Sequence, residues 1–123
     1  MTSTLLLTVT LLIFSNVFMT LAWYGHLRFI SVPLWIIVLA SWGVAFFEYC
    51  FQVPANRLGY QMLSGYELKT LQEIITLTVF ILFAELYLGE GLKPKHLAGF
   101  FLLGLAAWTM FQDHFGLKWA LAN

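Results

Sequence analysis

Charged residues are scarce in this sequence, and their scarcity excludes most classes of soluble protein. Only 10% of the 123 residues are Asp, Glu, Lys or Arg, whereas a soluble domain typically has about 25%. The six basic and six acidic side chains cancel, so no basic field attracts nucleic acid. The single cysteine, Cys50, cannot form an intrachain disulfide, and we expect it to be a buried, inert residue of an apolar segment.

Motifs of catalysis and of cofactor or metal binding are also missing. The chain has no phosphate-binding glycine loop, no dinucleotide fingerprint, no nucleophile elbow and no paired cysteines. The three histidines lie near the ends of apolar runs and do not cluster at a metal-ligand spacing. The sequence therefore predicts no enzymatic activity, no cofactor and no metal site.

Apolar residues are what the sequence has in excess, since they make up 61% of the chain. A helix needs about 20 of them to cross a bilayer. Four runs approach this length, at about 5–24, 34–53, 71–89 and 97–113. The polar stretch before residue 71 is expected at the membrane surface or in the first turns of a longer third helix. We predict an all-α fold, in which one transmembrane domain over 1–123 forms a four-helix bundle in contact with lipid.

Basic residues are balanced between the two sides of such a bundle. One side would carry Arg57, Lys69 and Lys118, and the other Arg28, Lys93 and Lys95. Because Lys and Arg in short loops set orientation, this balance gives no preferred topology. Two interpretations stay open. The chain inserts both ways round, which allows an antiparallel homodimer, or a partner and the position of each charge decide its orientation.

The third and fourth runs contain a pattern that resembles a known family. Residues 81–92 read Ile-Leu-Phe-Ala-Glu-Leu-Tyr-Leu-Gly-Glu-Gly-Leu, and Gly99 follows nine residues after Glu90. This resembles the drug/metabolite transporter (DMT) superfamily, in which a helix often ends in Leu-Gly-Glu and the next helix brings a glycine at that distance.

The segment between the second and third runs extends this resemblance. Val53-Pro54, Gly59-Tyr60 and Ser64-Gly65 are similar to the Ile-Pro, Ala-Tyr and Ser-Gly stretch of small multidrug resistance transporters. Within the superfamily the chain is most similar to a small four-helix branch whose signature stands here as Phe-Phe-Glu-Tyr at 46–49 and Val-Pro-Ala-Asn-Arg at 53–57. The resemblance covers roughly residues 35–111.

This resemblance implies a small multidrug resistance-like bundle that acts as a homodimer in a bacterial cytoplasmic (inner) membrane and transports a small organic solute. The chain departs from those transporters at two places. Their essential glutamate in the first helix is missing, and the nearest polar residue is Asn16. Their fourth helix often repeats glycine every seven residues, whereas Gly99 is followed by Ala106. These departures keep an alternative open, a non-catalytic accessory subunit of a larger membrane complex.

Two glutamates within the apolar runs are the first candidates for a transport site. Glu48 and Glu85 are ionisable side chains, which cost several kcal/mol to place in a membrane on insertion scales and are rarely present there without a role. We predict that they couple transport to a proton or bind substrate. In an antiparallel dimer, Glu48 of one copy and Glu85 of the other would lie at similar depth and form a pair. Alternatively, Glu48 pairs with Arg28 or Arg57 and fastens helices.

Helical spacing adds three candidate site residues, Asn16, Trp42 and Tyr49. Asn16 shares a helix face with Thr20, and its amide either binds a ligand or bonds a neighbouring helix. Trp42, Phe46 and Tyr49 follow spacings of four and three residues and therefore share a face of the second helix. This aromatic face either holds an organic cation by cation–π attraction or packs against helices and lipid.

Small residues in the fourth run predict close helix packing. Gly99, Gly104 and Ala106 allow two helix backbones to approach each other within a membrane. Four short helices alone enclose little space for a substrate path. We therefore expect an oligomer, formed either with a second copy or with another membrane protein.

Overall fold

The computed structural model describes residues 2–112, and this part of the chain is helical with no strand. The helices are α1 (Thr2–Tyr24), α2 (Leu34–Gly59), α3 (Gly65–Phe83) and α4 (Pro94–Met110). A short 3₁₀ turn (Gly25–Arg28) follows α1, and a π-helical turn (Ala84–Leu88) continues α3. The predicted all-α fold is confirmed. Residue 113 of the predicted fourth span lies outside the described residues, as do His114 and Lys118.

Helix α2 extends further than its apolar run predicts. It continues to Gly59, six residues beyond the expected end, and it contains Pro54. A proline inside a helix removes one backbone hydrogen bond and usually kinks or ends the helix. The segment after Pro54 nevertheless remains helical, since Ala55 is fully buried in the core and Gly59 packs against α1 and α3. Tertiary packing has outweighed the local signal.

Helix α3 begins with a capping box. The side chain of Ser64 accepts a hydrogen bond from the Glu67 amide at 3.2 Å, and the Glu67 carboxylate accepts one from the Ser64 amide at 2.8 Å. Helix α3 therefore starts at Gly65, six residues before the apolar run, in agreement with the longer third helix allowed by the sequence. At the other end Gly89 ends the π-helical turn in the left-handed region, with φ of 69°, which favours glycine.

The helices pack around α1. Helix α2 lies along one side of it, where Phe18 stacks on Phe47 and Phe51 with ring centroids 5.7 and 5.6 Å apart. Helix α3 contacts α1 on another side, and α4 packs on α3. A small apolar core joins the first three helices; it consists of Leu12, Ala55, Leu68 and Ile75.

A close approach of three helices lies next to this core. A Cβ atom on Gly59 would lie 2.7 Å from Leu68 Cδ1 and 2.9 Å from Thr8 Cγ2. This contact defines one end of the bundle, which also carries Arg57 and is called the Arg57 end below. The opposite end contains the 3₁₀ turn, the start of α2 and the π-helical turn; it carries Arg28 and is called the Arg28 end.

The outer surface of the described bundle is apolar. Large side chains such as Leu34, Trp42 and Leu86 are 75–84% exposed. Three helical segments, of 27, 26 and 24 residues, are long and apolar enough to cross a membrane, where about 20 residues are needed. This is the surface of a membrane protein, since an aqueous surface of this extent would aggregate. Cys50 belongs to this outer surface, so its predicted burial is wrong.

Candidate functional site

The interior between α1, α2 and α3 contains a cluster of polar side chains. Six polar residues are no more than 8% exposed: Thr8, Ser15, Asn16, Thr20, Glu48 and Gln52. Burying a polar group is unfavourable unless it is hydrogen-bonded, and each buried side-chain nitrogen and oxygen of the described residues has a partner. We call Ser15, Asn16, Glu48, Gln52 and Thr76 the polar cluster, because contacts between their side chains link the three helices.

One half of the polar cluster joins α1 to α2. The Ser15 hydroxyl lies 2.6 Å from Gln52 Oε1 and 3.4 Å from Glu48 Oε1. The Gln52 amide donates in turn to Asn56 Oδ1 at 3.0 Å, which orients Gln52 Oε1 towards Ser15. Because a hydroxyl has only one proton to donate, Ser15 donates to Gln52 in this arrangement. The Ser15 hydroxyl is then able to accept a hydrogen bond from a protonated Glu48.

The other half of the polar cluster joins α1 to α3. Asn16 Nδ2 donates to the Leu12 carbonyl at 2.7 Å, and Asn16 Oδ1 accepts a hydrogen bond from the Thr76 hydroxyl. The amide is fully buried. The sequence left two roles open for Asn16, binding a ligand or bonding a neighbouring helix. The described contacts show the second of these.

The polar cluster lies about halfway between the two ends of the bundle. Glu48 is 14 residues from the start of α2 at Leu34 and 11 residues from its end at Gly59. At about 1.5 Å per residue these separations are about 21 and 16 Å. Ser15 is likewise nine residues from the end of α1 at Tyr24. The apolar run predicts a second span that ends at residue 53, soon after Glu48, whereas the longer helix places Glu48 near its middle.

The bond between Asn16 and Thr76 gives a measurable expectation for stability. In a double-mutant cycle with Asn16→Ala and Thr76→Val, we expect a coupling energy of about 0.6 kcal/mol, the average for hydrogen bonds between membrane helices. Unfolding in detergent or by steric trapping measures it. Thr78→Val is the matched control on α3, because the Thr78 hydroxyl donates to the Ile74 carbonyl of its own helix at 2.8 Å. Equal coupling of Asn16 to Thr78 would show that the bond to Thr76 has no specific role.

Glu85 lies in the π-helical turn, far from the polar cluster along α3. Its carboxylate accepts a hydrogen bond from the Leu92 amide at 2.6 Å and so holds the connection to α4. Glu85 is three residues from Leu88, or about 5 Å from that end. Glu85 is thus close to a helix end, whereas Glu48 is near the middle of its helix. In an antiparallel dimer the two glutamates would therefore not lie at the predicted similar depth. Glu48 forms no ion pair with any described residue, and Arg28 lies instead over the Tyr87 ring.

The aromatic face of α2 lies outside the polar cluster. Trp42, Phe46 and Tyr49 are 63–75% exposed. With Trp23 and His26 of the preceding segments they line an open groove of about 850 Å³ along α1 and α2. The predicted roles of Trp42 and Tyr49 in substrate binding thus concern a surface that faces away from the hydrogen bonds of Glu48.

The small residues of α4 have few neighbours within the chain. Among residues 2–112, no atom beyond the local helix backbone would lie within 4 Å of a Cβ atom on Gly99 or Gly104. Gly104 and Ala106 line a groove of about 540 Å³ between α3 and α4, while Ala107 is the residue of α4 that is buried. Within residues 2–112, no helix makes the close contact with Gly99 and Gly104 that the sequence predicts.

Sequence reasoning missed Ser15, Gln52 and Thr76. Glu48 and Gln52 are four residues apart and therefore share a helix face. That spacing, two polar residues at helical distance within an apolar run, is the signal that identifies a polar interior. Thr76 gives no such signal, since one threonine in an apolar run is common. Among residues 2–112 no three His, Cys, Asp or Glu side chains gather as metal ligands.

Comparison with known proteins gives one family match. A family model described as "Putative member of DMT superfamily (DUF486)" matches residues 8–111. The matched segment includes all five residues of the polar cluster. No curated protein and no solved structure matches the chain significantly.

Proposed function

This chain belongs to the DUF486 family of the drug/metabolite transporter superfamily, and we propose from that premise that it is a small secondary transporter. It moves a small organic solute across a bacterial cytoplasmic membrane, coupled to protons through Glu48. Membership of this superfamily supports a transport function.

The polar cluster is the observation that carries this proposal. Secondary transporters bind solutes and coupling ions near the bilayer midplane, between helices. Glu48 meets this description, since it lies near the middle of α2, is 8% exposed and has no cationic partner among the described residues. A carboxylate in such a position is costly if it only fastens helices, because a neutral side chain would fasten them at lower cost.

The proposed coupling uses competition for one carboxylate. Protonated Glu48 donates to the Ser15 hydroxyl, which donates in turn to Gln52, so the network has a donor for each acceptor. Loss of the proton leaves a negative charge that attracts a cationic solute or another proton. Glu48 holds one or the other, and this exclusion links solute movement in one direction to proton movement in the other. Asn16 then supplies hydrogen bonds that orient the solute when its bond to Thr76 opens.

The proposed transporter has four membrane spans and acts as a homodimer. Helix α4 has 17 residues in the described chain, fewer than the 23, 26 and 19 of α1, α2 and α3, and its residues are as apolar as theirs. Among the described residues, no atom outside the local backbone of α4 lies within 4 Å of a Cβ atom built on Gly99 or Gly104, and small residues of this kind allow a helix of a second copy to approach. The three-to-three division of Lys and Arg that the sequence predicts between the two membrane sides supports an antiparallel arrangement of the copies.

Uptake into proteoliposomes tests the proposed function. Purified protein in liposomes with an imposed pH gradient is offered a panel of labelled small organic cations and neutral solutes. We expect uptake of at least one of them above that of protein-free liposomes, and collapse of the gradient with a protonophore should reduce it. Uptake that equals the protein-free level for every solute would contradict a transport function.

The accessory-subunit alternative has one observation in its favour. Each buried polar side-chain atom in the described chain already has a hydrogen-bond partner, as expected of a network that only fastens helices. The native mass in a mild detergent separates the two functions. A homodimer without companions supports the transporter, whereas stoichiometric recovery with larger membrane proteins supports the accessory subunit.

A further inference from the structure

The two ends of the bundle are fastened in different ways. At the Arg57 end, Gly59 packs so closely against Thr8 and Leu68 that no side chain fits between them. The apolar core lies directly beside this contact. Close packing of this kind is rigid, because any separation loses many contacts at once. The Arg57 end is therefore the rigid contact between the first three helices.

At the Arg28 end, one tyrosine makes the polar contacts that hold α3 to α1. The Tyr87 hydroxyl donates to the Gly25 carbonyl at 2.9 Å, and the Arg28 guanidinium carbon lies 4.6 Å from the centre of the Tyr87 ring. The Gly25 carbonyl belongs to the 3₁₀ turn that directly follows α1. The Tyr87 hydroxyl therefore ties the π-helical turn of α3 to the end of α1. These contacts are few, specific and reversible.

The segment that carries Tyr87 is itself unusual. It is the π-helical turn, and such turns are rare and occur frequently at functional sites. Phe83, one turn before Tyr87, stacks on its ring with centroids 4.8 Å apart. Glu85 and Gly89 shape the connection that follows. The π-helical turn thus presents Tyr87 to the end of α1.

Among the described residues, one further ring contact links this half of α3 to α1. Helix α3 packs mainly on α1 and α4, and its contacts with α2 are minor. The Tyr24 and Phe80 rings meet edge to face at 4.8 Å, between the polar cluster and Tyr87. Phe80 is one helical turn beyond Thr76. Release of Tyr87 would leave this ring pair as the barrier between the polar cluster and the Arg28 end.

We propose that the contacts of Tyr87 with Gly25 and Arg28 form a latch that closes the Arg28 end over the polar cluster. When the latch opens, the C-terminal half of α3 moves away from α1 and the Arg57 end stays packed. The latch regulates access to the site of the proposed function and rests on it to that extent. Its movement is measurable without any solute.

Distances between spin labels test the latch. In the full chain with Cys50→Ser, one label pair reports the Arg28 end through Leu27→Cys and Leu86→Cys, which are 43% and 84% exposed. A second pair reports the Arg57 end through Tyr60→Cys and Tyr66→Cys. Labelled protein is reconstituted in nanodiscs with an excess of unlabelled protein, so that distances within one copy dominate.

Two substitutions should open the latch, and a third is the control. Tyr87→Leu removes the ring and hydroxyl, and Arg28→Gln removes the charge above the ring. Each should increase the fraction of molecules with a longer 27–86 distance by about five- to thirtyfold, the change that corresponds to the loss of one or two such contacts. The 60–66 distance should stay unchanged. Trp35→Leu, an outward-facing aromatic residue at the same end, should change neither distance.

Access to the polar cluster provides the second readout. Thr20 is 3% exposed and lies between Asn16 and the end of α1. In the Cys50→Ser chain, a cysteine introduced by Thr20→Cys should react with a membrane-impermeant thiol reagent faster, by the same factor, when Tyr87→Leu is present. The latch would be overturned if the 27–86 distance or the reaction rate stayed unchanged. It would also be overturned if the distance distributions of both label pairs broadened equally. Failure to find a transported solute would not affect these results.

Discussion

Replacing Glu48 with glutamine is expected to reduce proton-driven uptake to the level of protein-free liposomes. Glutamine has nearly the same shape, and its amide still hydrogen-bonds Ser15 from the position of the carboxyl group. It neither releases a proton nor carries a negative charge, so the competition between proton and cationic solute is lost. Folding should be preserved, because a neutral amide is easier to bury in a membrane than a carboxylate. Uptake of the panel solutes measures the effect.

Glu73→Gln is the matched control for this experiment. Glu73 is on α3, is exposed and forms an ion pair with Lys69 at 2.7 Å. An exposed pair of this kind contributes little to stability, and Glu73 does not contact the polar cluster. Glu73→Gln should therefore retain uptake. Full uptake by Glu48→Gln protein, or equal losses in both variants, would remove Glu48 from the coupling mechanism.

Replacing Gly59 with alanine is expected to destabilise the bundle by about 1–3 kcal/mol, the usual cost of overpacking. The added methyl group would lie 2.9 Å from Thr8 Cγ2 and 2.7 Å from Leu68 Cδ1. The Leu68 end is flexible, but Thr8 is β-branched and has few alternative rotamers in a helix. The three helices must then separate at the Arg57 end. The free energy of unfolding, measured in detergent, reports the change.

Gly43→Ala makes the same chemical change on the same helix where space is available. In the described part of the chain, no atom beyond the local helix backbone lies within 4 Å of a Cβ atom at Gly43. Alanine favours a helix over glycine by about 0.5–1 kcal/mol, so this variant should be as stable as the natural chain or more stable. Effects of the same sign and size at Gly43 and Gly59 would mean that the close approach at Gly59 does not determine stability.

The fold class was predictable because long apolar runs leave few alternatives. Backbone groups in a bilayer must be hydrogen-bonded within a helix or a closed barrel, and four runs near 20 residues favour helices. The ends of helices were harder to predict. Pro54 suggested an end for α2, yet the burial of Ala55 and Gly59 keeps the helix intact beyond it. Local sequence does not reveal such packing between distant segments.

The candidate site was predictable in part. Glu48 and Asn16 were identified because ionisable and amide groups are costly to place in a membrane and are rarely present there without a role. Their partners depend on how the helices rotate about their axes, and periodicity alone does not fix this rotation. Ser15 meets Gln52 and Asn16 meets Thr76 only after α1 has packed between α2 and α3. The aromatic residues of α2 show the opposite case, since their shared face was predicted correctly but faces outward.

The central claim is that Glu48 exchanges a proton for the transported solute, and proton release tests it most directly. A solute identified by the uptake panel is added to purified protein in weakly buffered detergent solution, and the pH change is recorded. The account predicts that binding releases protons from the natural chain and from the Glu73→Gln variant, but not from the Glu48→Gln variant. Solute binding with no proton release from the natural chain, or with equal release from the Glu48→Gln variant, would contradict it.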